Sequence, residues 1–486
     1  MAFVVIGIAS PVPVSGQTTD RDVLRDRIDM LVSTQEATIE EAPIAAIALI
    51  DEIYARRSYK PAWSDPGTVR QLFDQVLRSV GHGLNPDDFH AKQLGTRLNP
   101  GRTAEDPIFK ADTEILCTDA LARLAITVQF GKLNPADLDP AWNFSRKIAR
   151  QDPLAYFNQI LESSSVASAL AALGPRNPRY EWFQAALRKY RSILAGGGWQ
   201  TVTAGPVLEA KSKGPRVAEL RQRLRITGDL TGADPADPQD FDSVLEAGIK
   251  HFQIRHGIDS DGRVGPRTIE ELDVPVVARI NQLRAGLERM RWVFRDLPNR
   301  YLVVDIAGFH AYLMEDGEEI WKTRVQVGKP YHATPIFKDT IRYLEFNPTW
   351  TILPGILSRD TLPAIRKDAS YLSRNNMSVV TTSGKIVDPS TIDWAATASK
   401  GFPYMIRQEP GDRNALGPVK FMFPNQYMVY LHDTPSKGLF ASSERTFSSG
   451  CIRTENPFDL AELLLEGQVG IASGSTRSSR RRRRPG

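Results

Sequence analysis

The stretch ARINQLRAGLERMRW (278–292) is followed closely by YLVVDIAG (301–308) and HAYLMEDGEEIWKTRVQVG (310–328), and the change of period between them decides how the chain is read. In the first, Ile280, Leu283, Leu287 and Met290 recur at helical spacing. The other two read as consecutive strands, and within 310–328 Asp316-Gly317 is suited to a type I′ hairpin because both central residues of that turn need positive φ. A largely helical front gives way to a β-rich end, so the expected fold class is α+β in several domains. At 486 residues the chain is too long for one ordinary core, and about three domains is the natural division.

Working back toward the N-terminus, residues 20–200 read as a helical scaffold. Apolar spacing in Ile44 to Tyr54 and in Val69 to Val80 is separated by turn-rich stretches such as HGLNPDDF (82–89) and GKLNPADLDP (131–140). Cys117, Leu121, Leu124 and Val128 form one apolar helical stripe, which assigns Cys117 to packing. Gly196 to Gly198 suggest a linker before a small unit at 207–276. There, Val217, Leu220 and Leu224 share one helical face, a second helix carries Val244, Ile249 and Phe252, and a third opens at Gly265-Pro266 with proline at N1.

In the other direction, the β-rich domain spans 277–470. Its strand pattern breaks over about 355–413, where LPAIRKDASYL (362–372) and SGKIVDPSTIDW (383–394) read as an inserted lid, and resumes at VKFMFPNQYMVYLHD (419–433). Alternation over residues 427–432 places Met428, Tyr430 and His432 on one face of a strand. A loop then leads to Ser448-Ser449-Gly450-Cys451-Ile452-Arg453. A glycine before a thiol permits a tight turn in which backbone N–H groups converge where an acyl oxyanion would develop. Asn456, with Pro457 at N1, is placed to cap the helix that follows, pinning the loop from behind. A nearby imidazole is expected to hold Cys451 as a thiolate and to shuttle protons, with Arg453 adding positive charge.

Hydrophobic content of 41% and charged content of 24% describe a globular protein. The net charge of +4 depends on Arg477 and the run Arg480 to Arg484; without those six arginines the body is about −2, and the tail at 471–486 reads as solvated and disordered. That distribution argues against a nucleic-acid partner. Residues 1–19, beginning MAFVVIGIASPVPVSG, suggest a secretory segment, so an exported, periplasmic protein is expected, with membrane association left open. His251 and His256 lack companions at ligand spacing, His310 and His332 stand alone, and no metal or cofactor is expected.

YLHDTP (430–435) followed by RTFSSGCIR (445–453), with His432 nineteen residues before Cys451, resembles the motif of YkuD-type L,D-transpeptidases. FNPTWTILPGI (346–356) is similar to the stretch before the lid in the large Gram-negative branch of that family. GPRVAELRQRLRITGDL (214–230) and FQIRHGIDSDGRVGPRTIEEL (252–272) resemble the peptidoglycan-binding domain appended to many wall enzymes. Scaffold, binding domain and lid-bearing catalytic domain in this order match that branch. The resemblance implies that Cys451 attacks the L-centre carbonyl of diaminopimelate in a tetrapeptide stem, releases D-alanine and leaves a thioester, which a second stem's amine resolves into a 3→3 cross-link. His432 would be base then acid, and Gly450 and Cys451 would supply the oxyanion amides. Tyr430, Trp350, Ser449 and Arg453 are the candidate substrate-side residues. Peptidoglycan stem peptides and glycan are the implied partners, with other wall-synthesis enzymes as further candidates.

Two departures stand out. Ser449 occupies a position where many members carry histidine, and GIASGSTRSSRRRRRPG (470–486) replaces the further strands usual in this branch. An L,D-carboxypeptidase, in which water resolves the thioester, remains open on these residues. So do attachment of a lipoprotein lysine and an inactive wall-binding protein.

Overall fold

The computed structural model describes residues 19–466, apart from 35, 99–100, 102–104, 139–141, 144–151, 164, 234, 296 and 398–400. The expected secretory segment, but for its last residue, and the basic tail lie outside the described residues. The chain divides into two compact units, with the boundary after Leu297.

The first unit is helical. Its longest helix, Pro107–Phe130, starts where Asp106 accepts the Ile108 N–H at 2.9 Å and proline takes N1. Cys117, Leu121, Leu124 and Val128 are all buried on it, within a core shared with Leu24, Ile50 and Leu72. The helix Val276–Val293 packs against Pro178–Ala195, closing Ile280, Leu287 and Met290 over Tyr180, Leu187 and Tyr190. Gly286 permits the approach, since a Cβ there would lie 2.3 Å from Phe183 Cε1. The helix quoted at the outset therefore closes the helical unit, whereas the sequence reading joined it to the strands that follow.

Three helices, Pro215–Thr227, Ser243–Arg255 and Pro266–Asp273, enclose a small core of Leu220, Leu224, Leu245, Ile249, Phe252 and Leu272. Val244, expected in that core, is exposed instead. Asp242 accepts the Leu245 N–H at 2.7 Å, and the helix phase this sets turns Leu245 inward.

In the second unit, strands β1 (Arg300–Asp305), β2 (His310–Glu315), β3 (Glu318–Gly328), β4 (Tyr343–Phe346), β9 (Val419–Met422), β10 (Leu431–His432), β11 (Thr446–Ser448) and β12 (Ile452–Thr454) form one sheet. Its order is β1-β2-β3-β12-β10-β9-β4, with β11 beside β3. Asp316 and Gly317 both have positive φ, as the hairpin turn requires. Between β4 and β9, strands β5 (Trp350–Thr351), β6 (Met377–Val380), β7 (Ile386–Val387) and β8 (Met405–Gln408) build a second sheet, ordered β5-β8-β6-β7. That sheet and the helix Leu362–Lys367 share a separate core containing Ile352, Ile365, Leu372, Val379 and Ile406. The inserted segment thus has apolar contacts of its own.

The strand expected over 427–432 is reduced to Leu431–His432. Asn425 explains the loss: its amide group donates to the Phe423 and Val429 carbonyls and accepts from the Tyr427 and Val429 N–H groups. Backbone groups that would have extended the ladder are spent on this turn, and Met428 takes a left-handed φ of 53°.

The end of β3 is pinned at Gly328, where a Cβ would lie 2.1 Å from the His332 carbonyl oxygen and 2.7 Å from the Thr334 nitrogen. Both obstacles are backbone, so Gly328→Ala is expected to cost about 1–3 kcal/mol, read as a lowered urea midpoint. An unchanged midpoint would show that the 332–334 loop yields freely.

Candidate active site

The two short strands β10 and β12 run parallel, pairing Leu431 with Ile452 and His432 with Arg453. The Ile452 N–H donates to the Tyr430 carbonyl at 2.9 Å, carrying the pairing one residue further back. Leu431 and Ile452 point into the apolar core with Val419 and Phe421. Strand alternation then sends Tyr430, His432, Cys451 and Arg453 to the opposite face. Residues distant in sequence are assembled by one register.

That face carries a polar row across five strands. Gln326 on β3 pairs with Arg453, Arg453 with His432, His432 with Lys420 on β9, and Lys420 with Glu345 on β4. Arg453 Nη1 donates to Gln326 Oε1 at 3.2 Å. The Lys420 ammonium lies 4.1 Å from the centroid of the Tyr430 ring and 3.6 Å from Glu345. Two cations therefore flank His432.

His432 is 3% exposed, and its Nδ1–H donates to the Asp433 carbonyl at 2.5 Å. A carbonyl can only accept, so this bond places a proton on Nδ1, and the Leu416 carbonyl also lies against the ring. Burial, followed by the charge of Arg453, pushes the imidazole down to about 3. The thiol moves the other way: burial raises it above the ordinary range, against the lowering influence of a Tyr430 backbone bond and of Arg453 and Lys420. At rest it donates to the Met428 carbonyl at 3.8 Å. The resting pair is thus a neutral thiol and a neutral imidazole, which corrects the expectation of a stored thiolate. The enclosure disfavours both charges, and no hydrogen bond joins sulfur and ring in this state.

Gly450 has φ 113°, a conformation that L side chains rarely adopt. Its N–H donates to Ser448 Oγ at 3.1 Å, and the same hydroxyl donates to the Cys451 carbonyl at 2.6 Å. Ser448 closes the turn around the thiol and occupies the Gly450 amide, which the sequence reading assigned to an oxyanion. Ser449, the chosen candidate, is exposed. Thr334, unnoticed in the sequence, accepts from the Gly328 N–H at 2.9 Å and donates to the Gly450 carbonyl at 2.8 Å. Arg445 is buried and donates to the Val325, Ser442 and Phe309 carbonyls, tying the approach loop to β3 and the turn before β2. His332 also lies beside this turn, with its ring against Arg359 of the inserted segment. Thr334 lies far from Cys451 in sequence, so only the fold brings it to the site, whereas Arg445 opens the motif that carries the thiol.

Trp350 falls on β5 and packs in the core of the inserted segment, apart from the row that holds Cys451 and His432. Asn456 does stand at the N-terminus of Pro457–Leu465 with proline at N1, but its side chain makes no capping bond, its ψ of 68° lying outside the extended range usual at a cap. That helix is held instead by Leu460 and Ala461 in the core and by Arg300 donating to the Leu463 carbonyl at 2.7 Å.

Residues 299–471 match the family described as "L,D-transpeptidase catalytic domain" (YkuD), residues 213–272 a "Putative peptidoglycan binding domain", and residues 48–187 a "Scaffold domain". A curated Haemophilus influenzae protein, named provisionally as an L,D-transpeptidase, is 37% identical over 185 residues, which are 38% of this chain and 37% of that relative. The chain thus aligns with little more than a third of that relative's length. A crystal structure of an L,D-transpeptidase from Stackebrandtia nassauensis overlaps 54% of this chain and 89% of its own at 17% identity, with a TM-score of 0.21. Another, from Xylanimonas cellulosilytica, overlaps 56% and 95% at 19% identity and a TM-score of 0.16.

A neutral resting pair has a direct consequence for reactivity. Alkylation of Cys451 by iodoacetamide is expected to rise in one step at alkaline pH, beyond the ordinary thiol range, with no plateau between pH 5 and 7. A plateau there would reveal a standing thiolate and imidazolium.

Proposed function

We propose that this chain, whose residues 299–471 match the YkuD-type L,D-transpeptidase catalytic domain, cross-links peptidoglycan stems through a thioester on Cys451. The observation that carries the reading is the β10–β12 register, which sets thiol, imidazole and two cations on one face of the sheet. Peptidoglycan would be held at 213–272 as well as at the catalytic face, and the place of action would be outside the cytoplasmic membrane.

The chemistry follows from the neutral pair. His432 Nε2 takes the thiol proton as sulfur attacks the L-centre carbonyl of diaminopimelate. The negative charge moves from sulfur to the carbonyl oxygen. Of the two amides, that of Cys451 is the available donor, because the Gly450 amide is engaged by Ser448. Arg453 stabilises an anion in this enclosed face, where water screens less. His432 returns its proton to the departing D-alanine nitrogen as the C–N bond breaks. In the second half, an amine of another stem forms the new C–N bond, the C–S bond breaks, and the amine's proton passes through His432 to sulfur.

Incubation of the full chain with disaccharide tetrapeptide tests this reading. The expected products are free D-alanine and 3→3 linked dimers, identified by mass spectrometry, with none from Cys451→Ala. His432→Gln is expected to lower the rate by about 100-fold or more, through loss of the proton shuttle. Tripeptide monomers alone would assign an L,D-carboxypeptidase. Unaltered substrate with a folded chain would leave wall binding as the function.

A further inference from the structure

We propose that Lys420 anchors the acceptor's carboxylate, so that the site selects acceptors whose attacking amine and carboxylate share one carbon. This rests on the acyl-enzyme reading above and specifies which nucleophile resolves the thioester.

The Lys420 side chain is only 12% exposed, yet its Nζ makes no hydrogen bond among the described residues, the nearest carboxylate oxygen being Glu345 Oε2 at 3.6 Å. An ammonium offers three donors, and enclosing it without close acceptors is costly. An anion arriving on this face would supply them. The position is suited to an acceptor rather than to the acyl group already on sulfur. Lys420 lies on β9, two strands from the strand that Cys451 precedes, or about 10 Å across the sheet. The Tyr430 ring lies beneath its ammonium and next to Cys451 in the register. Beyond Lys420 the sheet ends at β4, where Tyr343 is 53% exposed and the Glu345 side chain 38% exposed, so this edge is open to a second molecule. On the far side of His432, Arg453 is already engaged by Gln326.

A carboxylate on Lys420 would hold the amine on the same carbon over Tyr430 and toward the thioester. That fits the free amino-acid end of a diaminopimelate side chain. A lysine ε-amine carries its carboxylate four methylenes away, and water carries none. In the resolving step the neutral amine forms the C–N bond, sulfur departs, and the amine proton reaches sulfur by way of His432. Lys420 takes no part in proton transfer.

The test uses the full chain acylated with disaccharide tetrapeptide, then given glycine or glycinamide in parallel at one pH. The two probes differ in the carboxylate and in the amine basicity that goes with it, a difference that cancels when the ratio is compared between variants at one pH, and intact mass reports acylation separately from transfer. The ratio of the two transfer rates is expected to fall about tenfold in Lys420→Met, matching the loss of one charged hydrogen bond, and to recover largely in Lys420→Arg. Glu345→Gln, at the exposed edge, removes the competing carboxylate and is expected to move the ratio the opposite way. A general structural defect would slow both probes equally and leave the ratio alone. Normal acylation with an unchanged ratio in Lys420→Met and Glu345→Gln would overturn the assignment of Lys420. Absence of acylation in the unaltered chain would overturn the cysteine mechanism itself, and this inference with it.

Discussion

Parallel pairing of two very short strands, Leu431–His432 with Ile452–Thr454, is the constraint on which the site depends. A one-residue slip would exchange the faces, putting Leu431 and Ile452 in the polar row and His432 and Arg453 in the apolar core. Burial of the two aliphatic residues therefore fixes the chemistry on the other side. Strands this short hold their register through what surrounds them. β3 and β9 flank the pair, Thr334 and Ser448 tie the turn before Cys451, and Arg445 fastens the approach loop through three carbonyls. Gly328 and Gly450 are needed where those ties bring backbone against backbone or demand a positive φ.

The electrostatics follow from enclosure. Two cations would favour an anionic sulfur, but burial outweighs them and keeps thiol and imidazole neutral at rest. On the proposed route charge appears only when sulfur attacks, and Arg453 is then already in place. Such preorganisation avoids moving solvent at the moment of reaction. The arrangement has a cost in acid. Because folding lowers the His432 pKa, its contribution is unimpaired above the unfolded value near 6.5 and is lost as pH falls from there toward about 3.

Much of this was legible in the chain itself. The period change near residue 300, the Asp316-Gly317 hairpin and the Cys117 stripe each express a local rule, and the structure repeats them. His432 and Cys451 stood out through their motif. What sequence could not supply was set by contacts between distant segments. Ser448 and Ser449 are identical in kind, and only the backbone path decides which one closes the turn. Thr334 lies 116 residues from the carbonyl it holds. Lys420 sits in an ordinary strand, and its proximity to Tyr430 arises from register. Asn425 consumes backbone bonds that alternation alone assigned to a longer strand, and Trp350 joins the core of the inserted segment through pairing of β5 with β8.

The central claim is that Cys451 is an acylating nucleophile, and intact-protein mass spectrometry with a carbapenem tests it most directly. A single covalent adduct of the drug's mass on the full chain, absent from Cys451→Ala, is the result expected of a thiol set in an acyl-transfer site. A folded chain that shows no adduct, or one that Cys451→Ala retains, would contradict it.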